Sequence, residues 1–259
     1  MKAIILCEGP DDLWFIAYYL HKRAGWDTRN SSEGLWRNYK AKPLNSRQQV
    51  QYLRRGNDSV VVWSVGGKDS FSLVLSAIFK KFIQNYPFDP ISSIVIVRDR
   101  DNDSIAEALR EMQTWFPDGV ELSNCRSTVW ESETYGCRTT VNITPVLIPF
   151  NETGAIETLL IESIKEHGEE ERAIVQEAGE YIRRLVSGGK SGLKYLSHQR
   201  LILKAKYSAV IAVTNPDHST CLFQDMVMAC PWEKSPYVRE HFDVILSAIS
   251  SDNTRADPL

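Results

Sequence analysis

Asp99, Asp101 and Asp103 alternate along Arg98-Asp99-Arg100-Asp101-Asn102-Asp103, and Glu8 heads a second acidic segment, Glu8-Gly9-Pro10-Asp11-Asp12. In an extended chain, side chains two residues apart point the same way, so Asp99 and Asp101 could share one cation. Three carboxylates this close repel unless a cation or an arginine compensates. Donors that are all oxygen suit Mg²⁺ or Mn²⁺ rather than zinc. The alternative is that the aspartates are solvated turn residues and helix caps. For one acidic turn alone that reading is the better one; Glu8 and the aspartate triplet together favour metal, with Asp12 and Asp103 available to a second ion.

Other segments carry chemistry of a weaker kind. Gly66-Gly67-Lys68-Asp69-Ser70 lacks the GxxxxGK[ST] spacing of a nucleotide P-loop, yet backbone amides at a helix start bind anions. Gly66, Gly67 and Lys68 are therefore candidates for contact with phosphate. Arg98 and Arg100 could clamp phosphate or pair with the flanking aspartates, and pairing is favoured. The segment Gly188 to Lys194, containing Lys190, forms the main basic patch with Arg200, Lys204 and Lys206. Such runs are more often solvated helix faces. None of the five histidines adjoins a GxSxG nucleophile elbow. The five cysteines are odd in number and irregularly spaced, which argues against a disulfide framework and against paired zinc ligands.

The elements that must position these residues follow from hydrophobic patterning. Lys2 to Cys7, Val60 to Val65, Ile94 to Val97 and Val146 to Ile148 are short apolar runs, as strands buried in a parallel sheet require. The first three each meet an acidic or glycine turn and then a helix, with Asp11 or Asp12 and then Asp69 or Ser70 as caps. Strand, turn and helix in repetition predict an α/β fold with right-handed crossovers, whose ligands gather beyond the carboxyl ends of the strands. Residues about 26–58 read as an excursion from the sheet with a short helix near Ser46 to Arg54. A hairpin is expected around Gly136, within about 125–142. Helices are predicted over Ala155–Ile164, Glu169–Val186, Leu193–Lys206, Thr220–Met228 and Val238–Ile249. The expected division is an α/β domain over 1–150 and a helical extension over 151–259.

Composition narrows the function classes. Of 259 residues 43% are hydrophobic and 24% charged, enough for a sizeable core, and the net charge is −3. Binding nucleic acid by bulk charge would need a basic chain, so polyanion contact here needs a local patch or metal ions. No apolar stretch approaches the roughly 20 residues of a membrane span. Met1 to Cys7 lacks the basic flank and length of a signal peptide. A cytoplasmic setting without membrane partners is the expectation.

Glu8-Gly9-Pro10-Asp11-Asp12 after one strand, with Asp99-Arg100-Asp101 after a later one, resembles the Toprim domain of topoisomerases, bacterial primases, ribosomal-RNA maturases and overcoming-lysogenisation-defect nucleases. Val65-Gly66-Gly67, and Pro149 followed by Gly154-Ala155-Ile156-Glu157, resemble a bacterial Toprim-like group. Pro10 stands where that pattern often has lysine, and Asn102 follows Asp101 where many members have glycine. The resemblance implies a Toprim-like parallel sheet flanked by helices. It implies Glu8 as general acid/base and Asp99 and Asp101 as ligands of Mg²⁺ or Mn²⁺. The activity implied is Mg²⁺-dependent phosphoryl transfer by a nuclease or a nucleic-acid-processing or defence factor. A catalytically inactive Toprim-like module that binds a protein or nucleotide partner is the alternative. A haloacid-dehalogenase-like phosphatase ranks last, because that family wants Thr or Val where Asn102 stands.

Overall fold

The protein is described from a computed structural model covering residues 1–29, 36, 41, 43–116, 120–188 and 194–250. Among these residues seven strands form one mixed sheet: β1 (Lys2–Cys7), β2 (Asp27–Arg29), β3 (Gln49–Arg55), β4 (Asp58–Ser64), β5 (Ser93–Asp99), β6 (Thr128–Thr134) and β7 (Cys137–Ile148). Their order is β2-β3-β4-β1-β5-β7-β6. The helices are α1 (Pro10–Ala24), α2 (Phe71–Ile78), α3 (Ile105–Gln113), α4 (Ile156–Lys165), α5 (Glu169–Ser187), α6 (Gln199–Thr214), α7 (Phe223–Ala229) and α8 (Pro236–Ala248). The fold is α/β. No described helix is long and apolar enough to cross a membrane.

The chain divides into two compact units. One comprises Met1–Arg98, Asp103–Leu147 and Phe242–Leu259, the other Asp99–Asn102 and Ile148–His241. In the first unit β1 pairs in parallel with β4 (Leu6 opposite Trp63) and with β5 (Leu6 opposite Ile96). Every residue of β1 is buried, which explains the unbroken apolar run. Alternate residues face opposite sides of the sheet. Ile4, Leu6, Val61 and Trp63 join Phe71, Val74 and Leu75 of α2 and Met112 of α3 in one core. Ala3, Ile5, Val60 and Val62, on the other face, are equally buried, and α1 packs against β3 and β4. At about 1.5–3 kcal/mol for each fully buried large aliphatic side chain, these central strands carry most of the unit's stability.

Two sequence expectations change. The segment 49–55 is strand β3, antiparallel to β4, rather than a helix, and β2 adds to it, so this part of 26–58 belongs to the sheet. The hairpin and the fourth apolar run are one structure. Thr134 pairs with Cys137, leaving the two-residue turn Tyr135-Gly136, both at positive φ, and β7 then runs unbroken to Ile148. Two consecutive positive-φ residues are what a tight hairpin turn demands, and glycine supplies one without steric cost.

In the second unit α4, α5 and α6 pack on one another, burying Leu159, Leu160, Val175, Ile182, Val210 and Ile211. The predicted helix over Leu193–Lys206 begins later, at Gln199, and extends to Thr214.

Candidate functional site

Glu8 is the first residue beyond β1, and the turn after β4 closes on its main chain. Gly66 and Gly67 each donate an N–H to the Glu8 carbonyl at 3.0 Å, while Val65 N–H donates to the Cys7 carbonyl at 2.8 Å. The two glycine amides expected to touch phosphate therefore hold Glu8 instead, which corrects their assignment as an anion cradle. The helix that follows begins two to three residues earlier than predicted. Gly9 is its cap, Pro10 opens the first turn where an N–H is not missed, and the buried Asp12 carboxylate accepts Gly9 N–H at 2.8 Å. Asp12, expected beside a second ion, closes a capping loop at the start of α1.

Lys68 and Asp103 do meet, but as an ion pair. Lys68 Nζ lies 2.8 Å from Asp103 Oδ2 and 3.3 Å from Glu111 Oε2. Arg98, fully buried, reaches the same two carboxylates at 2.7 and 2.9 Å and donates to the Ala108 carbonyl at 3.1 Å. The hydrogen bond from Lys68, with Arg98 adding to it, holds the Asp103 carboxyl below the usual carboxylate range. Burial pushes the Lys68 ammonium down, but Asp103 and Glu111 outweigh it and the net shift is upward. Two cations thus compensate Asp103 where a metal was expected, and Lys68 is paired rather than merely solvated. A third carboxylate, Glu107, starts α3 with Ser104: Ser104 Oγ accepts Glu107 N–H at 3.2 Å and Glu107 accepts Ser104 N–H at 2.9 Å, a capping box.

Within the second unit, Asp99 Oδ1 accepts Ile156 N–H at 3.2 Å, placing a carboxylate on the first turn of α4, where the helix dipole favours negative charge. Arg100 is buried and bonds to main chain. Its N–H donates to the Ile148 carbonyl at 2.8 Å, and its guanidinium to the carbonyls of Pro149 and Phe150 at 3.2 and 3.0 Å. Its assignment as a phosphate ligand is accordingly corrected to an anchor of the Pro149-Phe150 turn. Asp101 N–H donates to the Gly154 carbonyl at 2.7 Å, and Asp101 sits at φ +50°. The extended geometry that would align Asp99 with Asp101 is therefore absent. Among the described residues no group of three or more His, Cys, Asp and Glu side chains gathers as a ready-made metal shell.

Asp101 and Asn102 also line a cleft of about 860 Å³ formed by α4, α5 and α6. Arg183, His198, Arg200 and Lys206 line it too. Lys204 is drawn away, its Nζ 2.6 Å from the buried Glu157. Lys190 lies outside the described residues. The described part of the basic patch thus resolves into two cleft cations, Arg200 and Lys206, one paired lysine, Lys204, and Lys194, whose ammonium lies over the Tyr195 ring. Sequence reasoning missed Arg183 and His198 because nothing local marks them; only the packing of three helices brings them to the cleft. Burial pushes the Cys125 thiol up to about 11, and no disulfide joins any of the five cysteines, all of which are among the described residues.

No curated protein matches the chain. The chain is similar to the crystal structure of hypothetical protein PH0156 from Pyrococcus horikoshii OT3, with 15% identity, coverage of 95% of this chain and 100% of that one, and a TM-score of 0.43. Residues 2–226 match the family described as Protein of unknown function (DUF3226), and the chain belongs to that family.

Proposed function

We propose that this protein carries out Mg²⁺-dependent phosphoryl transfer of the Toprim type, with Mn²⁺ able to substitute, as a nuclease or another nucleic-acid-processing or defence factor of the cytoplasm. One observation carries the reading. β1 and β5 are parallel neighbours with Leu6 opposite Ile96, so the chain following β1 at Glu8 and the chain following β5 leave the sheet at the same edge. That edge is where open α/β sheets bind ligands.

The donor set suits the metal. Glu8, Asp99 and Asp101 offer only hard carboxylate oxygens, whereas Asp103 and Asp12 are engaged by Arg98, Lys68 and Gly9 and are left out of the proposed ligand set. When bound, the ion would polarise a phosphoryl oxygen and neutralise developing charge. Glu8 would move the proton, its main chain fixed by Gly66 and Gly67. Asp99 would hold the ion while keeping its bond to the start of α4. Arg100 would stiffen the turn between them through its carbonyl contacts.

A non-catalytic Toprim-like module that binds a protein or nucleotide is the second reading, favoured by the engagement of Lys68, Asp103 and both glycine amides within the fold. The test is incubation of plasmid, single-stranded DNA and RNA with the protein in Mg²⁺ or Mn²⁺. We expect cleavage that falls on the order of a hundredfold or more with Glu8→Gln, the range of general acid–base catalysis, and similarly with Asp99→Asn, whose amide oxygen can still accept Ile156 N–H. Absence of both cleavage and metal-dependent thermal stabilisation in the wild-type protein would refute the catalytic reading.

A further inference from the structure

The cleft of the second unit has a composition that no part of the proposed metal chemistry requires. Its volume, about 860 Å³, lies in the range of ligand sites. Ile161, Ile182, Val186, Ile202 and Leu203 give it an apolar wall. Three cations, Arg183, Arg200 and Lys206, share that lining, and among the described residues none of the three forms an ion pair. Their neighbours do: Lys204 is taken by Glu157 and Lys165 by Glu162. Lys206 is held across α5 where Gly179 leaves room, since a Cβ there would stand 3.4 Å from Lys206 Cε. Burial first, and then the charge of Lys165, push its ammonium pKa down, and the carboxylates of Glu162 and Glu152 only partly oppose them. The lining also holds the carboxylates Glu152, Glu162 and Asp101, and the charges of Glu162 and Glu152 act on Lys206.

We propose that this cleft binds a single strand of nucleic acid, its phosphates on Arg183, Arg200 and Lys206 and its sugars and bases against the apolar wall. An isolated phosphate would use the cations and leave the apolar wall empty. A duplex presents its phosphates on a broad rigid cylinder that a recess among three helices does not admit. A flexible strand uses both surfaces, and its base faces stack without sequence preference. Asp101 lines the same cleft, so a strand held there is led to one of the carboxylates proposed to hold the metal. In that respect the inference rests on the phosphoryl-transfer reading and gives its substrate class.

The test measures binding with the metal removed. In EDTA and low salt, fluorescence anisotropy follows a labelled oligothymidylate of about 12 nucleotides, a length within the site sizes of single-strand binders. The wild-type protein binds. Arg200→Glu, at an exposed position, and Lys206→Glu each weaken binding on the order of tenfold and flatten its salt dependence, as loss of a phosphate contact does. Lys22→Glu, the same charge change on the exposed surface of α1, has no effect. No binding in EDTA, or equal losses for Lys22→Glu and Arg200→Glu, overturns the proposal, as does competition by thymidine monophosphate at the same concentration of nucleotide units. Cleavage in Mg²⁺ is scored separately on the same proteins. Binding without cleavage removes the metal reading and leaves the cleft assigned. Cleavage undiminished by Arg200→Glu and Lys206→Glu removes the cleft and leaves the metal reading.

Discussion

Arg98 shows how a charged side chain can stand at the end of a buried strand. Its guanidinium is fully buried, and such a charge is tolerated only when paired and hydrogen-bonded. Asp103, Glu111 and the Ala108 carbonyl supply those bonds, and the Trp115 ring lies 5.9 Å away. Two carboxylates on one arginine imply redundancy. Asp103→Asn or Glu111→Gln alone should cost about 1 kcal/mol each, because both carboxylates are part-exposed and screened. The double variant should cost about 3 kcal/mol or more, since it leaves the buried charge uncompensated. Urea unfolding of the four proteins checks this; strictly additive losses would show that Arg98 does not depend on the pair. The same arrangement sets a pH dependence. Asp103 has a folded pKa below its ordinary value of 3.8, so its contribution is complete above that value and is lost as pH falls through the lower, folded pKa. Asp103→Asn should make the acid limb of the stability curve shallower.

Elements differed in how well the sequence announced them, for physical reasons. β1, β4 and β5 are buried on both faces, so their apolar runs stand out. β3 pairs only with β2 and β4 and carries Gln49, Gln51, Arg54 and Arg55. Its polar positions hid a strand whose clearer mark was the turn Gly56-Asn57 between the paired Arg55 and Asp58. The acidic turns were legible as strand ends. Their inner geometry was not, since the positive φ of Asp101 depends on Gly154, far along the chain. The cleft cations on α5 and α6 were legible only in part, because helix packing decides which face meets which. Gly154 gives the sharpest test at this scale. It sits at φ +144°, and a Cβ there would lie 2.1 Å from Thr158 Oγ1. Gly154→Ala should therefore cost about 2–3 kcal/mol or more from backbone strain and clash, measured by denaturant unfolding. Adding Thr158→Ala should recover only part, because it removes the hydroxyl contact but leaves the Cβ of residue 158 at 2.9 Å and the φ strain. Full recovery would show that the backbone there is not strained.

On the scale of the whole molecule, charge balance matters more than its sum. A chain of net charge −3 keeps three cations of the second unit together in one cleft, while other charges are consumed in ion pairs such as those of Arg98, Lys68 and Lys204. His241 is the last residue of that unit, and its state bears on the global stability curve. It is wholly buried; its Nε2 accepts Phe150 N–H at 2.9 Å and its Nδ1 lies 2.7 Å from the Tyr237 carbonyl. These partners require a neutral ring with the proton on Nδ1, because a second ring proton would confront the Phe150 N–H. Burial lowers the His241 pKa, and the Tyr237 carbonyl and the charge of Glu240 only partly oppose it. The unfolded chain takes up the proton near its ordinary value of 6.5, and the folded chain only at lower pH. The contribution of His241 is therefore complete above pH 6.5 and declines as pH falls from there toward the folded pKa. Unfolding free energies measured from pH 8 to pH 5 should fall in the lower half of that range. His241→Gln, which cannot titrate, should be less stable at pH 8 by about 1–3 kcal/mol, the cost of disturbing a buried hydrogen-bonded group. Its curve should be flatter between pH 6.5 and pH 5. Parallel curves for the two proteins would place the source of acid sensitivity elsewhere.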